Sequence, residues 1–228
     1  WLAALCILGC SVLLMASIVK IGKADPTGAG LVNQTEEKGF ILLDPGHGGA
    51  DGGAVGDDGT QEKDINLAVA LPLRDMLSLF GYEVRMTRDS DISIHSPEYT
   101  TIKEQKISDL KNRLVMYEQA ALVVGIHQNK FEVPRYFGTQ VFYSVNNPSS
   151  ELLADSIREN VISLLQPQNT RELKKGDKNI YLLHKTSVPA VLVECGFLSN
   201  PEERDKLKTE AYQHQMAYAI LAGIMQYM

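Results

Sequence analysis

Hydrophobic positions along the chain alternate between short apolar runs and longer stretches with helical spacing. The short runs predict strands at 40–43, 82–86, 121–126, 138–143, 180–183 and 189–193. The helical spacing predicts helices over 62–80, 108–120 and 151–165, and then two final helices opened by Pro201 and Thr209. Pro72 predicts a kink or an early break in the first helix. Residues 89–106 are polar and aperiodic, which predicts a long surface loop bordering a groove.

This alternation of strands and helices predicts the fold class. Long connections between consecutive strands are typical of parallel pairing, since a parallel strand must be reached by a crossover. We therefore expect an α/β fold, a three-layer sandwich with a largely parallel central sheet flanked by helices. In such sheets, functional sites collect beyond the carboxyl ends of the strands.

The N-terminal segment has a different character. Residues 2–19 carry no charge, and Lys20 and Lys23 end the apolar run. The length of this run favours a membrane anchor at 1–21 rather than a cleaved signal peptide. Either segment predicts an extracytoplasmic protein. Residues 22–38 have the composition of a linker, which leaves 39–228 as one folded domain.

Charge and cysteine content narrow the function classes further. A formal net charge of -6 argues against a nucleic-acid partner. Cys6 and Cys10 lie in the apolar segment, so Cys195 alone remains for the domain and no internal disulfide forms there. Cys195 has two interpretations, a thiol nucleophile or a core residue at the end of a buried strand, and the second is the more usual.

A glycine-rich stretch at 44–56 follows the first predicted strand of the domain and contains His47. One interpretation is a phosphate-binding turn, but the spacing fits neither GxGxxG nor GxxxxGK[ST]. A second is a plain glycine loop with an incidental histidine. The third is a metal site that takes His47 and Glu62 as ligands and requires partners from elsewhere in the chain.

Histidine and glutamate residues at other strand ends favour the metal site. His47, His127 and Glu194 each follow an apolar run, so a parallel sheet would place them along one edge. Two imidazoles and a carboxylate form a known open zinc site. Hydrolysis needs a second carboxylate that stays off the metal and moves protons, and the residues alone leave open whether Glu62 or Glu194 has that role.

Four ordered motifs resemble one enzyme family. They are Leu43-Asp44-Pro45-Gly46-His47-Gly48-Gly49, Glu62-Lys63, Ile126-His127-Gln128-Asn129 and Val193-Glu194-Cys195-Gly196-Phe197-Leu198-Ser199-Asn200. Together they resemble the zinc-dependent N-acetylmuramoyl-L-alanine amidases of the third amidase family, over essentially all of 39–228. The resemblance implies a Zn²⁺ ion held by His47, Glu62 and His127, with Glu194 as the catalytic acid and base. Gln128 departs from the small residue that is more common in the family at this position.

The resemblance also implies a substrate and a setting. It implies hydrolysis of the amide between N-acetylmuramic acid and L-alanine in peptidoglycan. The bare catalytic domain and residues 177–194 look most like the germination-specific members, which act on spore cortex before a deacetylase in making muramic-δ-lactam. The alternatives are a vegetative wall amidase, a zinc peptidase of the stem peptide, and a non-catalytic wall-binding protein. A regulatory protein partner is a further hypothesis.

Two arginines complete the set of candidate residues. Arg88 and Arg113 are each able to bind a substrate carboxylate, but arginines in loops and on helix surfaces are common. We therefore expect neither of them to do so.

Overall fold

A computed structural model describes residues 39–228. The predicted anchor or signal at 1–21 and the linker at 22–38 lie outside this range. Within 39–228, no helix combines the length and the apolar character that crossing a bilayer requires.

The centre of the domain is a six-stranded mixed sheet of order β2-β1-β3-β6-β4-β5. Its strands are β1 Ile41–Pro45, β2 Val84–Met86, β3 Leu122–Asn129, β4 Gln140–Tyr143, β5 Lys174–Lys175 and β6 Ala190–Phe197. All neighbouring strands pair in parallel except β4 and β6, which are antiparallel. The prediction of an α/β fold with a largely parallel sheet is confirmed.

Helices cover both faces of this sheet. They are α1 Glu62–Leu79, α2 Ile102–Tyr117, α3 Ser149–Leu164, α4 Tyr181–Lys185, α5 Pro201–Leu207 and α6 Glu210–Tyr227. Alternate residues of β1 enter separate cores: Ile41 and Leu43 pack with α1, α3 and α6, whereas Leu42 packs with Tyr117 of α2 and Leu182 of α4. The domain is therefore a three-layer sandwich with a core on each side of the sheet.

Helix α2 begins earlier than the hydrophobic pattern predicts. Its N-cap is Thr101, whose side chain accepts a hydrogen bond from the backbone N–H of Glu104. Thr101 and Glu104 thus have the sequence spacing of a capping box, a signal that overrides the weak apolar period of this segment. Ser108, the expected cap, lies inside the helix and instead accepts a hydrogen bond from the backbone of Ser96. The predicted loop over 89–106 is correspondingly shorter.

The prediction of a strand at 180–183 is wrong, because these residues lead into and form helix α4. Asp177 turns the chain just before it, since its side chain accepts a hydrogen bond from the backbone of Asn179 and its carbonyl accepts one from Ile180. The apolar residues Leu182 and Leu183 are both buried, as a short helix against the sheet allows. Helix α1 runs through Pro72 to Leu79, so the early break that this proline predicts does not occur.

Candidate metal site

Three of the predicted site residues converge at the carboxyl edge of the parallel strands. His47 lies two residues beyond β1, His127 lies in β3, and Glu62 is the first residue of α1. One ligand atom from each of the three lies within 4.8 Å of the others. This cluster contains two imidazole nitrogens and one carboxylate oxygen, which is a donor set suited to a metal ion.

Both imidazole rings of the cluster face the same carboxylate oxygen of Glu62. Glu62 Oε1 lies 3.3 Å from His47 Nε2 and 2.9 Å from His127 Nδ1. The two rings meet edge to face with centroids 5.1 Å apart. Three protein ligands are the number typical of catalytic metal sites, whereas structural zinc sites take four.

Asp51 fixes the orientation of the His47 ring. Its Oδ2 lies 2.9 Å from His47 Nδ1, which leaves Nε2 facing Glu62. Burial opposes protonation of the imidazole, but the hydrogen bonds to Asp51 and Glu62 outweigh it and raise the pKa of His47 to about 9. A carboxylate behind a metal-binding histidine is a common supporting contact, and here it belongs to Asp51 of the glycine loop.

The Glu62 carboxylate is buried and held by main-chain donors. Ala54 N–H donates to Oε2 at 2.7 Å, and Gln128 N–H donates to Oε1 at 3.0 Å. Burial favours the neutral acid, but the hydrogen bonds to His127 and His47 and their charges keep the pKa of Glu62 far below its usual range. The side chain is therefore an anion in a fixed position.

Glu194 stands beside the cluster without joining it. It is the register partner of His127 in the parallel pair of β3 and β6, so the two side chains emerge on the same face of the sheet. Its Oε2 is buried and has no hydrogen-bond partner within the described residues. Burial raises the pKa of Glu194 to about 7, with the charge of Glu62 adding to the effect. A carboxylate of this pKa suits proton transfer near neutral pH.

The glycines of the loop allow this close approach. A Cβ at Gly46 would lie 2.1 Å from His127 Cε1, so any side chain there would collide with the imidazole. At Gly53, where φ is +69°, a Cβ would lie 2.6 Å from Glu62 Oε2. The loop is glycine-rich because the backbone lies directly against the side chains of the candidate metal ligands.

Two buried arginines hold the backbone of the same loop. Arg113 Nη2 donates to the carbonyl of His47 at 2.8 Å, and Arg88 Nη2 donates to the carbonyl of Gly46 at 2.9 Å. Arg113 also pairs with the buried carboxylate of Asp44. Both arginines are buried against the loop, so the expected surface location is wrong for both. Nothing local in the sequence marks this role, because the contacts join residues more than 40 positions apart.

Cys195 is a core residue. Its side chain is fully buried in β6, and burial raises the pKa of the thiol to about 12. A thiol in that state is a poor nucleophile at neutral pH. The geometry thus supports the second of the two interpretations of this residue.

Comparison with known proteins agrees with this arrangement. The chain is 39% identical over 195 residues to the germination-specific N-acetylmuramoyl-L-alanine amidase of Bacillus subtilis (strain 168), covering 82% of this chain and 79% of that protein. It also resembles the structure of the CwlD amidase from Clostridioides difficile in complex with the GerS lipoprotein. That match has a TM-score of 0.80 and 41% identity, and covers 83% of this chain and 98% of the other.

A more distant structure has the same fold and a lower sequence identity. The catalytic domain of CwlV, an N-acetylmuramoyl-L-alanine amidase from Bacillus (Paenibacillus) polymyxa, matches with a TM-score of 0.67 and 29% identity over 83% of this chain and 97% of that one. The family model described as N-acetylmuramoyl-L-alanine amidase matches residues 41–226, nearly the whole described domain. The chain therefore belongs to the N-acetylmuramoyl-L-alanine amidase family, enzymes of peptidoglycan hydrolysis.

Proposed function

We propose that this amidase is a zinc hydrolase that cleaves the bond between N-acetylmuramic acid and L-alanine in spore cortex peptidoglycan. His47, Glu62 and His127 would hold the ion, and Glu194 would be the catalytic acid and base. The observation that carries the proposal is the cluster of three ligand atoms within 4.8 Å, next to a buried carboxylate oxygen that lacks a partner within 39–228.

The donor set supports zinc over harder cations. Two imidazole nitrogens with one carboxylate oxygen match the ligands of catalytic zinc sites, whereas calcium and magnesium prefer oxygen ligands throughout. Asp51 holds His47 with Nε2 toward the cluster, so that ring requires no rearrangement to bind. When bound, zinc supplies a Lewis acid that polarises the scissile carbonyl and lowers the pKa of water.

Glu194 would move the proton during hydrolysis. As an anion, its carboxylate accepts a proton from the attacking water, and the neutral acid then donates that proton to the nitrogen of the departing alanine. Oε2 is free to do this because no described group is hydrogen-bonded to it. Glu62 is unsuited to the role, since Ala54 N–H, Gln128 N–H and two imidazoles already occupy its oxygens.

The similarity to a germination-specific amidase supports the cortex as the setting. There the enzyme would act before a deacetylase in forming muramic-δ-lactam, on the outer side of the membrane and either anchored or secreted. The similar enzyme solved with a lipoprotein supports a protein partner that regulates this one.

The reaction is tested by incubating the purified protein with peptidoglycan and identifying the newly exposed amino termini. We expect alanine termini that require zinc, disappear on chelation and are absent with Glu194→Ala, while the exposed Glu202→Gln serves as a matched control and retains activity. New termini at other residues would indicate a stem-peptide peptidase. Binding without new termini, unaffected by chelation, would indicate a wall-binding protein.

The cortex setting needs a separate experiment. Deleting the gene in the source organism should yield spores whose cortex lacks muramic-δ-lactam and which germinate poorly, and a copy encoding Glu194→Ala should not restore either property. Cortex with normal muramic-δ-lactam, together with altered vegetative wall, would assign the enzyme to the vegetative wall instead.

A further inference from the structure

A groove runs from the candidate metal site along helix α2. It consists of two cavities, of about 250 Å³ and about 90 Å³, and only the larger is lined by His127. Both cavities are lined by His47, Asp51, Lys106 and Asp109. The Lys106 side chain crosses from α2 to the glycine loop, where Nζ lies 2.8 Å from Asp51 Oδ1.

Most charged groups around these cavities are already committed to neighbours. Arg113 also lines the larger cavity, but its side chain is only 2% exposed and pairs with Asp44 and Asp109. Asp109 also accepts hydrogen bonds from Ser93 Oγ and from the backbone of Ile94. These groups have no capacity left for a charged ligand.

Lys106 differs from them in exposure and in number of partners. Its side chain is 50% exposed, and Asp51 is its one ion-pair partner within 39–228. An ion pair at such exposure contributes about 0–1 kcal/mol, so exchanging it for another carboxylate costs little. Asp51 would retain its contacts to His47 Nδ1 and to the backbone N–H of Gly53 after the exchange.

We propose that Lys106 binds a carboxylate of the stem peptide and thereby sets the specificity of the enzyme. This inference rests on the proposed amidase reaction at the same site. In peptidoglycan, the residue after L-alanine is D-glutamate, whose α-carboxyl group is either free or amidated. With the scissile bond at the metal site, the peptide runs along the groove, and Lys106 distinguishes the free acid from the amide.

The test uses two matched muramoyl peptides that differ only in the free or amidated α-carboxyl group of D-glutamate. We expect the wild-type enzyme to have a kcat/KM about fivefold higher for the free acid, the size of one partly solvated charge-assisted hydrogen bond. The difference should lie mainly in KM, because the contact is remote from the reacting atoms. In Lys106→Met the ratio should fall to about one, and in Lys106→Glu it should invert.

Lys103→Met is the matched control, since Lys103 is an exposed residue of the same helix outside both cavities. It should keep the wild-type ratio. Equal hydrolysis of both substrates by the wild-type enzyme, or an unchanged ratio in Lys106→Met, would overturn the assignment of Lys106 while leaving the amidase function in place. Absence of alanine release from either substrate would remove both proposals together.

Discussion

Arg113 Nη2 donates a hydrogen bond of 2.8 Å to the carbonyl oxygen of His47. His47 has φ +64°, a left-handed backbone conformation that costs a non-glycine residue of order 1 kcal/mol or more. The Arg113 guanidinium holds this strained residue by its carbonyl, and the same group neutralises Asp44. Helix α2 thereby fixes the backbone of a candidate metal ligand.

We expect Arg113→Met to destabilise the protein and to weaken metal binding. The substitution leaves the buried Asp44 carboxylate without its countercharge, which costs about 3–5 kcal/mol. Urea unfolding of the metal-free protein measures this loss, and competition with a chromogenic chelator measures zinc affinity. Arg74→Met is the control, because Arg74 pairs with the exposed Asp75 and the substitution should change stability by less than about 0.5 kcal/mol. Equal effects of the two substitutions would contradict this account of Arg113.

Asp51 is expected to control the affinity of the site for metal. Asp51→Asn removes the charge that orients His47 through Nδ1, and loss of such a supporting carboxylate typically lowers metal affinity about 10–100-fold. The exposed Asp57→Asn is the matched control from the same loop and should bind zinc as the wild type does. Retained affinity in Asp51→Asn would show that Glu62 alone orients the ring.

The same contact predicts a pH dependence of metal binding. With a pKa of about 9, His47 is protonated at neutral pH in the metal-free protein and must release a proton to bind. Zinc affinity should therefore rise as the pH increases from 7 toward 9. In Asp51→Asn the pKa of His47 falls, so the rise should be smaller. Calorimetry in buffers of different ionisation enthalpy counts the released proton, and a count of zero at pH 7 would contradict the prediction.

Glu194 is expected to destabilise the metal-free protein at alkaline pH. Burial raises the pKa of Glu194 from 4.5 to about 7, so the folded state binds this proton more tightly than the unfolded state. The resulting stability is fully present below pH 4.5 and is lost as the pH rises through 7. Glu194→Gln should therefore be more stable than the wild type by about 3 kcal/mol at pH 8, and within about 0.5 kcal/mol of it at pH 4.5.

Urea unfolding in the presence of a chelator measures that difference at the two pH values. Glu202→Gln is the control, because the Glu202 side chain is exposed at the start of α5 and should give no gain at either pH. A gain of the same size at pH 4.5 and pH 8 would show that packing, and not the buried charge, is responsible.

The sequence predicts those site residues that lie at the ends of strands. His47, His127 and Glu194 follow apolar runs, and the parallel sheet brings those strand ends to one edge as expected. The residues alone leave open whether Glu62 or Glu194 would hold the metal. The N–H groups of Ala54 and Gln128 support Glu62 as the proposed ligand, and only the folded backbone aims them at its carboxylate.

The errors in the fold have a common physical origin. At 180–183 the apolar run is four residues long, and such a run fits a short buried helix as well as a strand. At α2 the weak apolar period concealed a start that the Thr101 cap determines. A side-chain hydrogen bond to the backbone caps the start of α2, and another forms the turn at Asp177 before α4. Hydrophobic spacing carries no information about such bonds.

The side chain of Gln128 supports Glu62 indirectly, through Asn66. Gln128 Nε2 donates to Asn66 Oδ1 at 3.1 Å, and Asn66 Nδ2 lies 3.3 Å from Glu62 Oε1. Both amides are buried. The two side chains therefore form a relay that ends at Glu62 Oε1, the oxygen that both imidazoles also face.

We expect Gln128→Met to keep the volume of this side chain but to break the relay. Asn66 Oδ1 then loses its hydrogen-bond donor in a buried position, which costs about 1–2 kcal/mol of unfolding free energy. Zinc affinity should fall by less than in Asp51→Asn, because Gln128 acts on the ligand through one more residue. Gln119→Met, at an exposed position, is the control for the change in side-chain chemistry. If Gln128→Met were as stable as the wild type and bound zinc equally well, the glutamine would only fill space, and Glu62 would not depend on it.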